Sequence, residues 1–472
     1  MKITLFAFLI LLSTAISAQQ NFQLPSIISN HAVLQQQSEV KLWGWGPINS
    51  KVSIVCGWNK SDTITTKIKT DFTWKATVKT PKAGESYSIE FLCDKVKLKI
   101  DDIIMGEVWL FTGQSNMGAF WKGSMALSDG GDAFKTCKNN NIRFFRVNQV
   151  VDKYPQKNSS GVWQLCDTTS LVNFSTIGYF FGKNINSALN VPVGLIQSQK
   201  GGTCIQPWTP IEAIENNPVQ KKISEQIQLQ NHSPIAPSLL YNGMIYPLAP
   251  YKIAGAVWYQ GESNVIADNG TNQLSFYGES VAGLINSWRK VFQNEFPFYS
   301  VQIAPFNGYK GIDAALLREQ QASILALPKT GLICISDLVG DISDIHPTIK
   351  AEVANRLSNM ALKEQYNQTN LQPYSPKFLN LKIEKNKVII AVKSIGKLSF
   401  RGKEILNFQL AGQDKVFYPA TAKVEKNGSI TLNSANITEP VAVRYCFSND
   451  AIPNLFDINK LPLMPFRTDD WK

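Results

Sequence analysis

A chain of 472 residues exceeds one ordinary domain, and its 44% hydrophobic and 11% aromatic content is ample for two or three packed cores. The formal charge of +11 comes from scattered lysines, which describes a solvated surface and argues against a nucleic-acid-binding face. After the first twenty residues, no stretch approaches eighteen uninterrupted apolar residues, so no membrane span is expected.

Lys2 precedes an apolar run, Ile3 to Leu12, and then small residues, Ser13 to Ala18. That order reads as a signal peptide over 1–18, cut after Ala18, which predicts a soluble secreted or periplasmic protein. The basic balance would then suit attraction of anionic glycans. Seven cysteines in an exported protein leave at least one unpaired. Cys56 with Cys93 and Cys137 with Cys166 are the plausible pairs, and no cysteine spacing resembles a zinc site.

Residues 19–100 read as short alternating strands, among them Val40 to Trp45, Lys51 to Val55, Thr63 to Ile68, Trp74 to Val78 and Tyr87 to Phe91. Turn residues recur between them, which predicts an accessory β-sandwich. The pattern changes over 101–373. Near-continuous apolar runs (Ile103 to Phe111, Asn141 to Val147, Val191 to Gln197, Ile253 to Tyr259, Pro297 to Ile303, Gly331 to Ser336) alternate with helical periodicity. One helix follows the capping signal Ser175-Thr176, and another begins near Gln273 with Tyr277, Val281, Leu284, Ile285, Trp288 and Phe292 on one stripe. Such a pattern predicts an α/β domain, a parallel sheet flanked by helices. Strands return over 374–472, for example Phe378 to Glu384, Lys387 to Val392, Ala420 to Lys426 and Ala442 to Cys446, as a C-terminal β-rich region packed on the catalytic unit.

The apolar run before Gly113 delivers Ser115 at the carboxyl end of a strand, where open α/β sheets display nucleophiles. A serine hydroxyl needs a histidine within hydrogen-bonding reach, and the chain has three: His31, His232 and His346. His31 falls in the sandwich and His232 in a polar loop, both better read as structural. His346 follows another strand-like run, in Gly340-Asp341-Ile342-Ser343-Asp344-Ile345-His346-Pro347, and Pro347 suits the first position of a helix. Two further turns end apolar runs, Gly201-Gly202-Thr203 and Gln260-Gly261-Glu262-Ser263-Asn264. Four such turns at successive strand ends converge on one pocket more readily than a chance Ser and His pair. Trp109 and Trp258 sit inside apolar strands as core, whereas Trp121 and Trp208 have glycine and proline neighbours that would suit a sugar-stacking platform.

These blocks resemble the sialate O-acetylesterase family of the SGNH hydrolase superfamily. The resemblance is carried by Gly113-Gln114-Ser115-Asn116-Met117, by Tyr241 to Ile245 with Val257 to Asn264, and by Asp344-Ile345-His346-Pro347-Thr348. Leu24 to Ile27, Val33 to Gln35 and Pro465 to Trp471 are similar too, so the likeness covers essentially the whole mature chain. It implies an SGNH-hydrolase-like sheet and a cofactor-free, metal-free serine esterase acting on acetylated sugars or glycans, sialic acids first. Ser115 would attack the acetyl carbonyl and His346 would shuttle the proton. The oxyanion donors implied are the N–H of Ser115, a glycine N–H of Gly201 or Gly202, and a side-chain amide, Gln260 first and Asn264 second. Gln114, Asn116, Trp208 and Glu262 are the candidates for contacting substrate, although Glu262 could equally stand behind the site or cap a helix.

The acid stays open. The usual SGNH spacing puts an Asp three residues before the histidine, where this chain has Ser343. Asp344 fits the sialate form of the motif, Asp341 lies five before, and a Ser-His dyad aided by a backbone carbonyl is the alternative. Two rival functions also remain at this level: an acetyl esterase for xylan or another polysaccharide, and a carbohydrate-binding protein without catalysis.

Overall fold

The computed structural model describes residues 21–121, 127–226, 236–268 and 270–471. The expected signal peptide and His232 lie outside the described residues. The α/β class holds. The central sheet comprises β1 (Val96–Gly113), β2 (Asn139–Arg146), β3 (Trp163–Cys166), β4 (Val193–Gln199), β5 (Gly255–Tyr259), β6 (Phe298–Val301) and β7 (Thr330–Ile333), in the order β7-β6-β5-β1-β4-β2-β3. All neighbours are parallel except β3, which pairs antiparallel with β2.

Strand β1 shows why this sheet forms. Its alternate side chains enter opposite cores: Val108 and Leu110 join one, Trp109 and Phe111 the other. Both faces are covered, so the run reads as continuously apolar. Fully burying a side chain such as Leu110 or Phe111 contributes roughly 1.5–3 kcal/mol. On the Trp109 face lie α1 (Thr176–Leu189) and, at the other end of the chain's α/β portion, Met360 and Leu357. Opposite them lie α2 (Glu262–Ile266), α3 (Tyr277–Phe292) and α4 (Asp313–Ala322), reached through Trp288, Leu317 and their neighbours. The helix expected near Gln273 begins as a 3-10 turn, Gln273–Phe276, before α3. Ser175 caps α1 as its spacing predicts, accepting from the Gly178 N–H at 3.1 Å, and its hydroxyl also donates to the Met117 carbonyl at 2.6 Å.

Strand β1 is 18 residues long and crosses the expected boundary at residue 100. Its first part pairs with Ser86–Cys93 of the N-terminal sandwich, its second with β4 and β5. His31 belongs to this junction. Its Nδ1 lies 2.6 Å from Asp102 Oδ2, and Asp102 Oδ1 accepts from Arg143 Nη2 of β2 at 2.9 Å. The C-terminal region forms two four-stranded antiparallel sheets and a two-stranded one, with their own core. It clasps α4: Arg467 donates twice to Glu319 (2.9 and 2.8 Å), and Asn449 Oδ1 accepts from the Ala314 N–H.

Two expectations need correction. All seven cysteines are buried free thiols. Cys56 and Cys93 sit on paired strands but out of register, opposite Ile89 and Val52 respectively, so no bond can join them. Cys137 and Cys166 are neighbours through a thiol contact, Cys166 Sγ to the Cys137 carbonyl at 3.1 Å. The helix after His346 does not start at Pro347 but at Ala351, as α5 (Ala351–Glu364). Its N-terminus is defined from a distance: the Asp129 carboxylate accepts from the N–H groups of Lys350, Ala351 and Glu352 at 2.9–3.0 Å. A carboxylate there also meets the positive end of the helix dipole.

Asp129→Ala is therefore expected to cost about 1–2 kcal/mol, the range of a lost N-cap, read as a lower denaturation midpoint. Asp129→Asn should recover part of it. A midpoint unchanged in both variants would mean the cap carries no stability.

Candidate active site

The turn that carries Ser115 follows from one backbone conformation. Gly113 has φ +128°, and a Cβ there would lie 2.1 Å from the Tyr259 carbonyl oxygen, so only glycine lets β1 end this close to β5. The chain then curls tightly. Gln114 N–H donates to Tyr259 O (3.0 Å), Met117 N–H to Gln114 O (3.0 Å) and Gly118 N–H to Ser115 O (2.9 Å). This turn presents Ser115, half-buried, at the carboxyl end of the parallel sheet.

His346 comes from the loop between β7 and α5, and its Nε2 lies 2.8 Å from Ser115 Oγ. Burial pushes the imidazole below its ordinary value of 6.5; the Asp344 carboxylate opposes that and Lys350 adds to it. Asp344 Oδ1 accepts from the His346 backbone N–H at 2.8 Å but stands 3.7 Å from Nδ1, beyond a hydrogen bond. The carboxylate thus steadies the histidine's backbone and acts on its ring by charge. Asp341 is spent on its own turn, accepting from Ser343 N–H (2.8 Å) and Ser343 Oγ (2.7 Å), and is exposed.

Gly201 abuts the serine: a methyl placed on it would be 3.4 Å from Ser115 Cβ. Neither the Ser115 nor the Gly201 N–H donates to another protein atom among the described residues. Gly202, with φ +70°, turns the chain away. The two amides expected to join these donors are committed elsewhere. Gln260 Nε2 donates to Asn264 Oδ1 (2.7 Å), Thr203 O (3.0 Å) and Gln114 Oε1 (3.2 Å), while Asn264 Nδ2 donates to Gln273 Oε1 at 2.7 Å. Both side chains are buried struts under the turn. They arrive there because Gly261, at φ +145°, sends the chain from β5 straight into α2.

The candidates for contacting substrate also face inward. Gln114 Oε1 accepts from the Gly261 and Ser263 N–H groups (3.4 and 3.3 Å). Trp208 is fully buried, edge-on to Trp258 at 6.1 Å with its Nε1 on Thr203 Oγ1, so it is core and no sugar platform. Trp121 packs its ring among Phe134, Tyr179 and Phe180. Asn116 Nδ2 donates to Glu262 Oε1 (2.6 Å) and to the Ile345 carbonyl (3.1 Å), and Asn116 Oδ1 accepts from Lys350 Nζ at 2.6 Å.

Lys350 escapes a reading of the sequence. It is 1% exposed, with its ammonium 5.4 Å from the centre of the Tyr259 ring, and burial lowers it from 10.5 to about 8. Glu262 is 2% exposed, and burial raises its carboxyl. Nothing in the primary structure marks either charge as interior; the one hint is that Lys350 lies four residues past the histidine. Asp129 carried no signal at all.

Residues 105–363 match the family model described as carbohydrate esterase, sialic acid-specific acetylesterase. The chain is 25% identical over 500 residues to human sialate O-acetylesterase, covering 95% of this chain and 93% of that one. It is 27% identical over 439 residues to the rat protein of the same name, 79% of each. Among solved structures, a carbohydrate acetylesterase from Xanthomonas citri superposes with a TM-score of 0.85 at 32% identity, over 95% of this chain and 100% of that one. The chain thus belongs to the sialic acid-specific acetylesterase family of carbohydrate esterases and is a carboxylic ester hydrolase.

Proposed function

We propose that this chain is an exported serine esterase that removes O-acetyl groups from sugars, O-acetylated sialic acids foremost, through an acetyl-enzyme at Ser115. The observation that carries the mechanism is the 2.8 Å approach of His346 Nε2 to Ser115 Oγ. Export is supported by the basic then apolar start of the chain, and the glycan class by the names of its relatives.

As Oγ bonds to the acetyl carbon, its proton passes to His346 Nε2. The oxyanion takes the Ser115 and Gly201 N–H groups, which lie on neighbouring turns and donate to no other protein atom among the described residues. Collapse breaks the bond to the sugar oxygen, which receives the proton from His346. Water then attacks the acetyl-enzyme with His346 as base, releasing acetate. Asp344 stabilises the transient imidazolium by charge, since no hydrogen bond links it to Nδ1.

Ser115→Ala should keep the far-ultraviolet spectrum of the native protein and lower acetyl ester turnover by several powers of ten. Near-native turnover by a folded variant would end the serine mechanism. Substrate class is read by comparing acetate release from O-acetylated sialic acids with release from acetylated xylan; preference for xylan would overturn the first choice.

Catalysis needs the neutral imidazole, so kcat/KM should rise along an acid limb with its midpoint below 6.5. Removing the carboxylate that raises this pKa should shift the limb further to acid in Asp344→Asn. The plateau should fall by about tenfold, far less than the ~10⁴-fold expected where an aspartate bonds the imidazole directly. A limb that moves to alkaline pH would contradict the assignment of Asp344.

A further inference from the structure

Beside the nucleophile turn, two adjoining cavities of about 440 and 160 Å³ open at the carboxyl ends of β2 and β4. The larger falls in the range of roughly 300–1,000 Å³ typical of small-ligand sites. Arg146, the last residue of β2, lines both. It is exposed, and among the described residues its guanidinium has neither an ion pair nor a hydrogen bond, only the face of Phe120 at 5.6 Å. Among the described residues, no carboxylate lines either cavity.

The smaller cavity is also built from below. Gln197 is 1% exposed; its Oε1 accepts from the Ser175 N–H, while its Nε2 is a buried donor with no partner. Leaving such a donor unmet costs free energy, and an incoming acceptor would recover it. Gln197 pairs with Arg146 on one side and Phe111 of β1 on the other, so Arg146 stands two strand spacings, about 10 Å, from the strand that carries Ser115. Gln199, the next lining residue on that face, reaches the turn itself: a Cβ on Gly118 would meet its carboxamide at 2.5 Å. From Gln199 the chain runs directly to Gly201 against Ser115.

An unpaired guanidinium, an unmet amide donor and no acid describe a site for an anionic oxygen group. We propose that Arg146, with Gln197 behind it, binds the carboxylate of an acidic acetylated sugar and so selects such substrates over neutral ones. This rests on reading Ser115 and His346 as the site of acetyl transfer. Arg146 has no part in the bond-breaking step; the guanidinium binds a carboxylate in the planar, two-point manner that a lysine cannot reproduce.

The test is the selectivity ratio, kcat/KM on O-acetylated sialic acid divided by kcat/KM on 4-nitrophenyl acetate. Arg146→Gln should lower it by about tenfold to a hundredfold, mainly through KM, the range of one charge-assisted hydrogen bond. Arg146→Lys should recover it only in part. With the sugar carboxylate methyl-esterified, wild type and Arg146→Gln should differ by less than about threefold. A ratio unchanged in Arg146→Gln, or an equal loss on the methyl ester, overturns the proposal. If the wild type leaves acetylated sialic acid intact, the proposed substrate falls instead. Free sialic acid as an inhibitor of aryl acetate hydrolysis then decides for Arg146, which stands if its Ki rises at least tenfold in Arg146→Gln and falls otherwise.

Discussion

One carboxamide serves two buried charges at once. Asn116 takes the Lys350 ammonium on its oxygen and the Glu262 carboxylate on its nitrogen, with all three side chains at most 2% exposed. Withdrawing a lysine and a glutamate from water is costly unless each finds a hydrogen-bonding partner. Asn116 can satisfy both only if its amide has one orientation, and that orientation also directs Nδ2 to the Ile345 carbonyl. The residue after Ser115 is thereby bonded to the residue before His346. Three segments far apart in the chain, the turn after β1, the start of α2 and the loop before α5, are held in one arrangement, and the Ser115–His346 approach is its consequence.

Support for that arrangement comes from both ends of the molecule. Strand β1 pairs with the N-terminal strand Ser86–Cys93 and also runs into the parallel sheet, so the N-terminal unit fixes where the strand leading to Ser115 starts. The Asp102 carboxylate bridges His31 and Arg143 across the same seam, which accounts for His31 without chemistry. From the other side, the C-terminal sheets grip α4 through Arg467 and Asn449. Gln321 of α4 in turn donates to the Gln260 carbonyl (3.1 Å) and accepts from the Ile303 N–H (2.9 Å). The Pro465 to Trp471 tail thus reaches the site at one remove, by way of a helix.

The amides of Gln260 and Asn264 illustrate a general limit on motif reading. A polar residue in a strand-end turn can face the ligand or brace the turn, and spacing treats the two alike. Here they brace it, because β5 ends under β1 and a buried turn must satisfy its own polar groups. Trp208 makes the same point for aromatic residues: its glycine and proline neighbours suggested a surface, but Trp258 and Trp288 close over that part of the core.

Much of this protein was legible in order alone. Runs buried on both faces are apolar without alternation, helices carry a 3.6-residue stripe, and glycine marks the backbone conformations other residues resist; these are local rules. They sufficed for the parallel sheet and the C-terminal antiparallel sheets, and they singled out Ser115, His346 and the Gly201 turn, which the fold brings side by side. Register, caps and charge burial are not local. Asp129 caps a helix more than 220 positions away, Cys56 misses Cys93 through the register of paired strands, and Lys350, Glu262 and Arg146 look alike as charged letters. Only the folded chain decides which of them is buried and paired and which is left open two strands from the one that carries Ser115, because that depends on what neighbouring strands bring within hydrogen-bonding distance.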